Sequence, residues 1–278
     1  MEKLEEQLLE ACIHGRIEEV KELLNQTNPQ INFNCENKYG FTPFFLACYY
    51  GHIELVKFLL NEERVDVNKV DQNGRTPFYV ACWLRQLEVA KLLLKDERID
   101  INHMKKDGAT ALFFACYKDH IETVKFLLSD ERVDVNKVNI DGWTPFYVAC
   151  ELGHIEIVKI LLNDQRVEIN KASNYKMTPF YIACRCGQLD VVETILISGR
   201  EVNGNAKDHE GKTAIDISRN EASKKRTGRS EREKQNLKIK EMNLIKIVGL
   251  LESFIRNPDR TRTKLRIKYG LAGNNSFF

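Results

Sequence analysis

The segment Thr-Pro-Phe-(Phe/Tyr)-x-Ala-Cys returns along this 278-residue chain at Thr42–Cys48, Thr76–Cys82, Thr144–Cys150 and Thr178–Cys184, with a variant at Thr110–Cys116. Its closing cysteines, Cys48, Cys82, Cys116, Cys150 and Cys184, stand 34 residues apart at every step. A period of that length marks a supersecondary unit that cannot bury its apolar face alone, so successive units must stack. One globule around one core is excluded, and the search for function moves from pockets to a surface.

One unit, Asp71 to Met104, shows why it folds. Asp71–Gly74 reads as a turn, with Gly74 free to take positive φ. Thr76 is placed to cap the next helix and Pro77 suits its first position. Phe78, Ala81 and Cys82 then share one face, and the small pair lets a second helix approach. That second helix is expected at Leu87–Leu94, with Lys91 toward solvent, and its counterparts at Ile53–Leu60, Ile121–Leu128, Ile155–Leu162 and Leu189–Leu196. A linker of the type Arg-Val-Asp-Val-Asn (Arg64–Asn68, Arg132–Asn136) follows, its alternating valines turned into the stack.

At these residues the chain resembles the ankyrin-repeat family. The pattern Asp-x-x-Gly-x-Thr-Pro-Leu-His-x-Ala-Ala-x-x-Gly-His, followed by Glu-Val-Val-Lys-Leu-Leu-Leu, is similar to Asp71–Leu94 and Asn139–Leu162. The near-identical 34-residue units resemble the expanded ankyrin families of unicellular eukaryotes, with ankyrin-bearing bacterial effectors a second possible source. The resemblance implies an all-α fold: an ankyrin-repeat α-solenoid of helix pairs with projecting β-hairpin loops, followed by C-terminal helices. It divides the chain into an array over 1–218, a basic linker over 219–234 and a C-terminal helical cap over 235–270. Within the array, a degenerate unit (8–39) precedes units near 40–73, 74–107, 108–141, 142–175 and 176–210, with a truncated unit at 211–218.

Departures from the family pattern carry their own expectations. An aromatic replaces the histidine after the first apolar residue in most units, which predicts an aromatic ladder along the stack. Arg85 and Asp119 replace the glycine closing the first helix, and Lys176 replaces a turn glycine. Arg85 and Asp119 should each cost about 1 kcal/mol if φ is positive there.

The resemblance also implies where a partner sits: on the hairpin tips and the exposed face of the first helix. Mapped residue by residue, these positions include Tyr39, Phe41, Tyr49, Tyr50, Arg75, Trp83, Leu84, Lys106, Tyr117, Lys118, Trp143, Leu152, Tyr175, Met177 and Arg185. Stacking does not require large aromatics at such positions, and Trp, Tyr and Arg dominate binding hot spots. The implied function is a non-catalytic adaptor or scaffold that binds a protein or peptide. A competing reading is burial of these rings between neighbouring hairpins. Another is a nucleotide or oligonucleotide held by the same rings interleaved with Lys and Arg, as in ankyrin arrays that grip an oligoadenylate. Acidity of the array opposes phosphate, and nucleic acid is not the expected partner.

Charge is divided unevenly. From Arg219 onward sixteen Lys/Arg face six Asp/Glu, although the whole chain is only +2. Lys224-Lys-Arg-x-x-Arg229 could serve as an import signal, and Ser223, Thr227 and Ser230 stand among these bases. Beyond it, Leu237, Leu244, Ile245, Val248, Leu251 and Ile255 form an apolar stripe, widened by Ile247 and Phe254. That helix should stop near Arg256, with a second over about Asp259–Lys268 ending at Gly270. The pair reads as a cap on the last repeat; a docking helix, or a basic segment on an anionic nucleic acid or membrane surface, are the alternatives.

Six cysteines (Cys12 and the five above) occupy one repeat position beside an alanine, where they act as small core hydrophobes of a reducing compartment. Cys35 and Cys186 lie elsewhere. No metal-ligand spacing, phosphate loop or nucleophile–base pairing stands out, so no catalytic residue, metal or cofactor is assigned. His52, His120 and His154 take a structural slot at the second-helix start. The acidic N-terminal residues lack a secretory signal's apolar stretch, and no run spans a membrane, which predicts a cytoplasmic or nuclear monomer.

Overall fold

The structure is a computed structural model that describes residues 2–26, 31–224 and 230–271. The chain divides into two compact units, residues 1–115 with 129–134 and residues 116–128 with 135–278. Every regular element among the described residues is a helix.

The first unit opens on α1 (Glu2–Ile13) and α2 (Ile17–Gln26). The pairs α3 (Pro43–Tyr50) with α4 (Ile53–Leu60), and α5 (Pro77–Trp83) with α6 (Leu87–Leu94), follow. Helix α1 packs on α3 and α3 on α5, so the first helices of successive repeats form one layer. Capping sets each start: Thr42 Oγ1 accepts from Phe45 N and Thr76 Oγ1 from Tyr79 N, both at 3.1 Å, with proline next in line. Phe44, Phe45, Phe78, Tyr79 and the paired Ala-Cys residues are buried.

Helix α7 (Ala111–Tyr117) leads to the second unit, which holds α8 (Ile121–Leu128), α9 (Pro145–Leu152) with α10 (Ile155–Asn163), and α11 (Pro179–Cys186) with α12 (Leu189–Ile197). Thr144 and Thr178 repeat the cap, accepting from Tyr147 N at 3.0 Å and Tyr181 N at 3.1 Å. The expected left-handed residues are found: Arg85 and Asp119 have φ of 60° and 58°, where Gly51, Gly153 and Gly187 close equivalent first helices at 75–79°, and Lys176 has φ of 59° at a turn that Gly40, Gly74 and Gly142 make in other units.

Two ladders that join repeats were not foreseen. Asn34, Asn68, Asn102, Asn136 and Asn170 each donate through Nδ2 to a backbone carbonyl one repeat on (Arg64, Arg98, Arg132, Arg166 and Glu201, 2.6–2.9 Å). Each also accepts at Oδ1 from an amide of that repeat, at 2.8–3.0 Å. Arg98, Arg132, Arg166 and Arg200 reach back to Leu60, Leu94, Leu128 and Leu162, carbonyls at the ends of earlier second helices. Asp96, Asp130 and Asp164 hold the first three guanidinium groups. These arginines satisfy helix-end carbonyls that a glycine cap would otherwise serve, which accounts for the longer linker and its missing glycine.

The projecting hairpin loops close as tight turns, and no described residue is in a strand. Asn37, Asp71, Asn139 and Asp208 each close such a turn by accepting two backbone amides, as Asp71 does from Asn73 and Arg75 at 2.9 and 2.8 Å. Neighbouring tips are joined by single backbone bonds, such as Gln72 N to Tyr39 O at 3.2 Å. One such bond per tip is too few to make a ladder.

The boundaries of the tail are corrected. The truncated unit forms α13 (Ala214–Ser223), five residues past the expected 218, and α14 (Glu231–Arg256) begins inside the expected 219–234 linker. Both starts have capping boxes, Thr213 with Asp216 and Ser230 with Glu233, which went unread in so polar a stretch. Residues 225–229 of the basic cluster, including Thr227, lie outside the described residues. The apolar stripe is also rotated: Leu244, Ile247, Leu251 and Phe254 are buried, while Ile245 and Ile255 face outward. Helix α14 packs chiefly along α13, and α15 (Pro258–Lys268) along α12 and α14. Lys268 Nζ donates to the buried Glu193 at 2.6 Å, the Tyr269 hydroxyl donates to the same carboxylate, and Arg262 donates to Leu196 O at 3.2 Å. No helix among the described residues is long and apolar enough to cross a membrane.

Candidate functional site

The first unit gathers its marked residues into two clusters. Phe41 stacks on the buried Phe45 with centroids 4.7 Å apart, Tyr39 and Tyr49 flank it at 5.7 and 6.0 Å, and Tyr50 lies edge-on to Tyr49. Tyr39 and Tyr50 stay about half exposed, at 52% and 46%, whereas Phe41 and Tyr49 are half-buried. In the second cluster, the Arg75 guanidinium lies over Trp83 at 4.6 Å and pairs with the buried Asp71 at 2.5 Å. Trp83 meets Phe114 edge-on at 6.1 Å. Leu84 is half-buried and Lys106 exposed. Both clusters join a hairpin residue to the first helix, so the aromatic contacts run from loop to helix as much as along the stack.

In the second unit, Tyr117 and Lys118 are exposed together, with Lys118 Nζ 4.8 Å from the ring centroid. Leu152, Tyr175 and Arg185 are exposed and Trp143 half-buried. Met177 is corrected: at 8% exposure it belongs to the core margin, its sulfur accepting from Arg185 Nη1 at 3.5 Å.

A cavity of about 430 Å³ opens here, within the size range of small-ligand and side-chain sites. Trp143, Tyr147, Tyr175 and Tyr181 give it aromatic walls, and Glu151 and Arg185 bring charge. Trp143 and Tyr147 stack at 5.5 Å. Tyr181 donates to Asp208 at 2.5 Å, and that carboxylate also accepts from the amides of Glu210 and Lys212. Burial pushes the Asp208 carboxyl up, but these donors outweigh it and hold it below the usual range.

Tyr147 occupies the same repeat position as Tyr181, yet Ser173 stands where Asp208 would. The Tyr147 hydroxyl, Ser173 Oγ and Trp143 Nε1 are all buried and none makes a well-formed hydrogen bond, Tyr147 and Ser173 being in weak polar contact. Burial first, and then the nearby Glu151 carboxylate, push the Tyr147 hydroxyl up, outweighing the contact with Ser173 and the charge of Arg185, so it remains a proton donor. Burial likewise raises Glu151, with the charge of Arg185 opposing. Sequence reasoning marked Trp143, Glu151, Tyr175, Met177 and Arg185 here but missed Tyr147, Tyr181 and Asp208. The readable sign was Ser173, which, like Lys105, departs from Asn37, Asp71, Asn139 and Asp208 at the same place in the repeat.

Two histidines at second-helix starts link neighbouring repeats. His52 Nε2 lies 2.9 Å from Ile13 O and His154 Nε2 3.3 Å from Tyr117 O, and Gln188 makes the same link to Glu151 O. All eight thiols are free; burial raises them, Cys35 to about 12 and Cys48 and Cys150 well above the ordinary value.

Family profiles described as ankyrin repeats match residues 8–105 and 97–173 (three copies) and 163–218 (many copies). No curated protein sequence matches the chain. Among solved structures, the ankyrin repeat domain of Bcl-3, titled a unique member of the IkappaB protein family, superposes with a TM-score of 0.69 at 24% identity. The match covers 83% of this chain and 96% of the Bcl-3 domain, and at that identity it speaks to the fold.

Proposed function

The chain belongs to the ankyrin-repeat family, and from that premise we propose that it is a non-catalytic adaptor or scaffold that binds a protein or peptide. The carrying observation is the set of rings left open at hairpin tips and first-helix ends: Tyr39, Tyr50, Tyr117 and Tyr175 are each 43–52% exposed. Such rings contribute little to the stack, and exposed aromatics are the usual anchors of an interface. The reading takes Arg75, Trp83, Leu84, Lys106, Lys118, Trp143, Leu152 and Arg185 as their surroundings, with Phe41, Tyr49 and Met177 as support beneath. The C-terminal helices serve as a cap, with Lys268 and Arg262 engaged in holding α15 rather than free for an anionic surface. Buried, reduced cysteines fit a cytoplasmic or nuclear setting.

A photo-reactive residue at position 50 or 175, against controls at the exposed Lys57 and Lys125, tests this in lysate of the source cell. Crosslinks to one protein from 50 and 175 alone, competed by unlabelled protein, are expected. Equal labelling from the control positions would overturn the reading.

A further inference from the structure

The tip of the first hairpin and the end of α3 carry one continuous row of rings. Tyr39 lies 5.7 Å from Phe41, Phe41 6.0 Å from Tyr49, Tyr49 5.0 Å from Tyr50 and Tyr50 6.0 Å from His52, centroid to centroid. The row is braced. Phe41 stacks on the buried Phe45, and Gln72 of the next hairpin donates to Tyr39 O from its amide and to Lys38 O from Nε2, at 3.2 and 2.7 Å. Rings held in place before a partner arrives lower the ordering cost of binding. Among the described residues, the hydroxyls of Tyr39, Tyr49 and Tyr50 make no hydrogen bond to the protein, and Tyr39 and Tyr50 are about half exposed. The charged side chains of this hairpin and the next are engaged: Glu36 with Lys69 at 3.0 Å, Asp71 with Arg75 at 2.5 Å, and Lys38 over the Tyr39 ring at 5.1 Å.

From this surface we infer that the row of rings receives a proline-rich segment of the protein partner, in the polyproline II conformation. Such a segment rises about 3.1 Å per residue, so alternate residues stand about 6 Å apart, matching the 5.0–6.0 Å steps of the row. Its pyrrolidine rings pack on the aromatic faces. Its backbone carbonyls have no internal partner and accept from the tyrosine hydroxyls. Proline brings no N–H of its own, so a face of rings and hydroxyl donors suits it.

Other modes of peptide recognition fit this face less well. An added strand needs an open sheet edge, and no described residue is in a strand. An amphipathic helix lays an apolar stripe into a hydrophobic groove, whereas three of the five rings here carry a hydroxyl. A strongly acidic segment would meet only Lys38, and a basic one would meet carboxylates already held by Lys69 and Arg75. The inference rests on the protein-binding reading and names the kind of segment that the first unit recognises.

The test is a 19F NMR titration of the full chain carrying 3-fluorotyrosine, with acetylated and amidated octaproline as the probe. Signals are assigned through Tyr39→Phe, Tyr50→Phe and Tyr175→Phe. Those of Tyr39 and Tyr50 should move and saturate, while Tyr175, as exposed but in the second unit, stays in place. Tyr50→Ala should weaken binding about tenfold, as for an interface anchor. Tyr50→Phe, which keeps the ring and loses one donor, should weaken it about fivefold. A Gly-Ser octapeptide, which is flexible, and tetramethylammonium, a bare cation for aromatic faces, should leave both signals unmoved. Signals of Tyr39 and Tyr50 that stay in place with octaproline, or that move equally with either control or together with Tyr175, overturn the inference. Crosslinking from position 50 alongside a silent octaproline probe would refute the proline-rich segment and leave the protein-binding reading standing; a responding probe with no selective crosslink would do the reverse.

Discussion

The hairpin Ser173–Met177 should be the weakest in the array, and two substitutions should repair it. Lys176 holds φ of +59°, where Gly40, Gly74, Gly108 and Gly142 turn the other hairpins. A left-handed non-glycine residue costs about 1–2 kcal/mol. Glycine returns about 0.4–1 kcal/mol of that through the freedom it gives the unfolded chain. Lys176→Gly is therefore expected to stabilise by about 0.5–1 kcal/mol. Ser173→Asn restores the side-chain oxygen that in Asn139 accepts from Asp141 N at 3.0 Å and Trp143 N at 2.9 Å. Two such bonds contribute roughly 1–2 kcal/mol net.

Together the pair should gain about 2 kcal/mol, less any overlap because the residues share one turn. With a urea slope near 3 kcal/mol per molar, the midpoint should rise by about 0.7 M, read by circular dichroism. Arg85→Gly should give the smaller, single-site gain. An unchanged or lowered midpoint for Lys176→Gly would show that the backbone there is not strained, and the account of the hairpin would fail.

Three other outcomes follow from the repeat geometry. Asn102→Ala removes one rung that joins Arg132 O and Asp134 N, and should lower the urea midpoint by the equivalent of about 1 kcal/mol; no change would mean the asparagine ladder is ornamental. Asp208 titrates below the ordinary carboxylate value, so its contribution is complete above about pH 4 and disappears as pH falls through the folded-state value. The midpoint should therefore drop more between pH 5 and about 3 for wild type than for Asp208→Asn, and equal drops would contradict that linkage. Alkylation of the native chain at pH 7.5 should label Cys186, the half-buried thiol, ahead of the seven buried ones. Mass spectrometry finding Cys48 or Cys150 labelled first would refute the burial argument.

What could be read from the chain divides by the distance over which each residue acts. The Thr caps, the Pro starts and the three left-handed residues are local, and their roles follow from residue type and a neighbour or two. The asparagine and arginine ladders were in plain view, yet each side chain works on backbone about 30 or 38 residues away. Only the register of stacked units reveals that. The stripe of α14 failed for a related reason: both Leu244-Val248-Leu251-Ile255 and Leu244-Ile247-Leu251-Phe254 satisfy a helical period, and the helix packed beside it selects the second.

The cavity was hidden by a stronger bias. Tyr147 and Tyr181 look identical in sequence and pass for rungs of one ladder, so neither drew notice as a wall. Their difference lies one hairpin on, where Ser173 faces one and Asp208 the other. A repeat protein carries its own reference, since each unit states what its siblings need to fold. A position where one unit gives up an oxygen and a glycine together, as Ser173 and Lys176 do, has stability withdrawn from it without any gain in packing. Local rules broken in this way cluster where a surface is shaped for something other than the stack. That argument, more than the abundance of aromatics, singles out the second unit's cavity from the other hairpin surfaces.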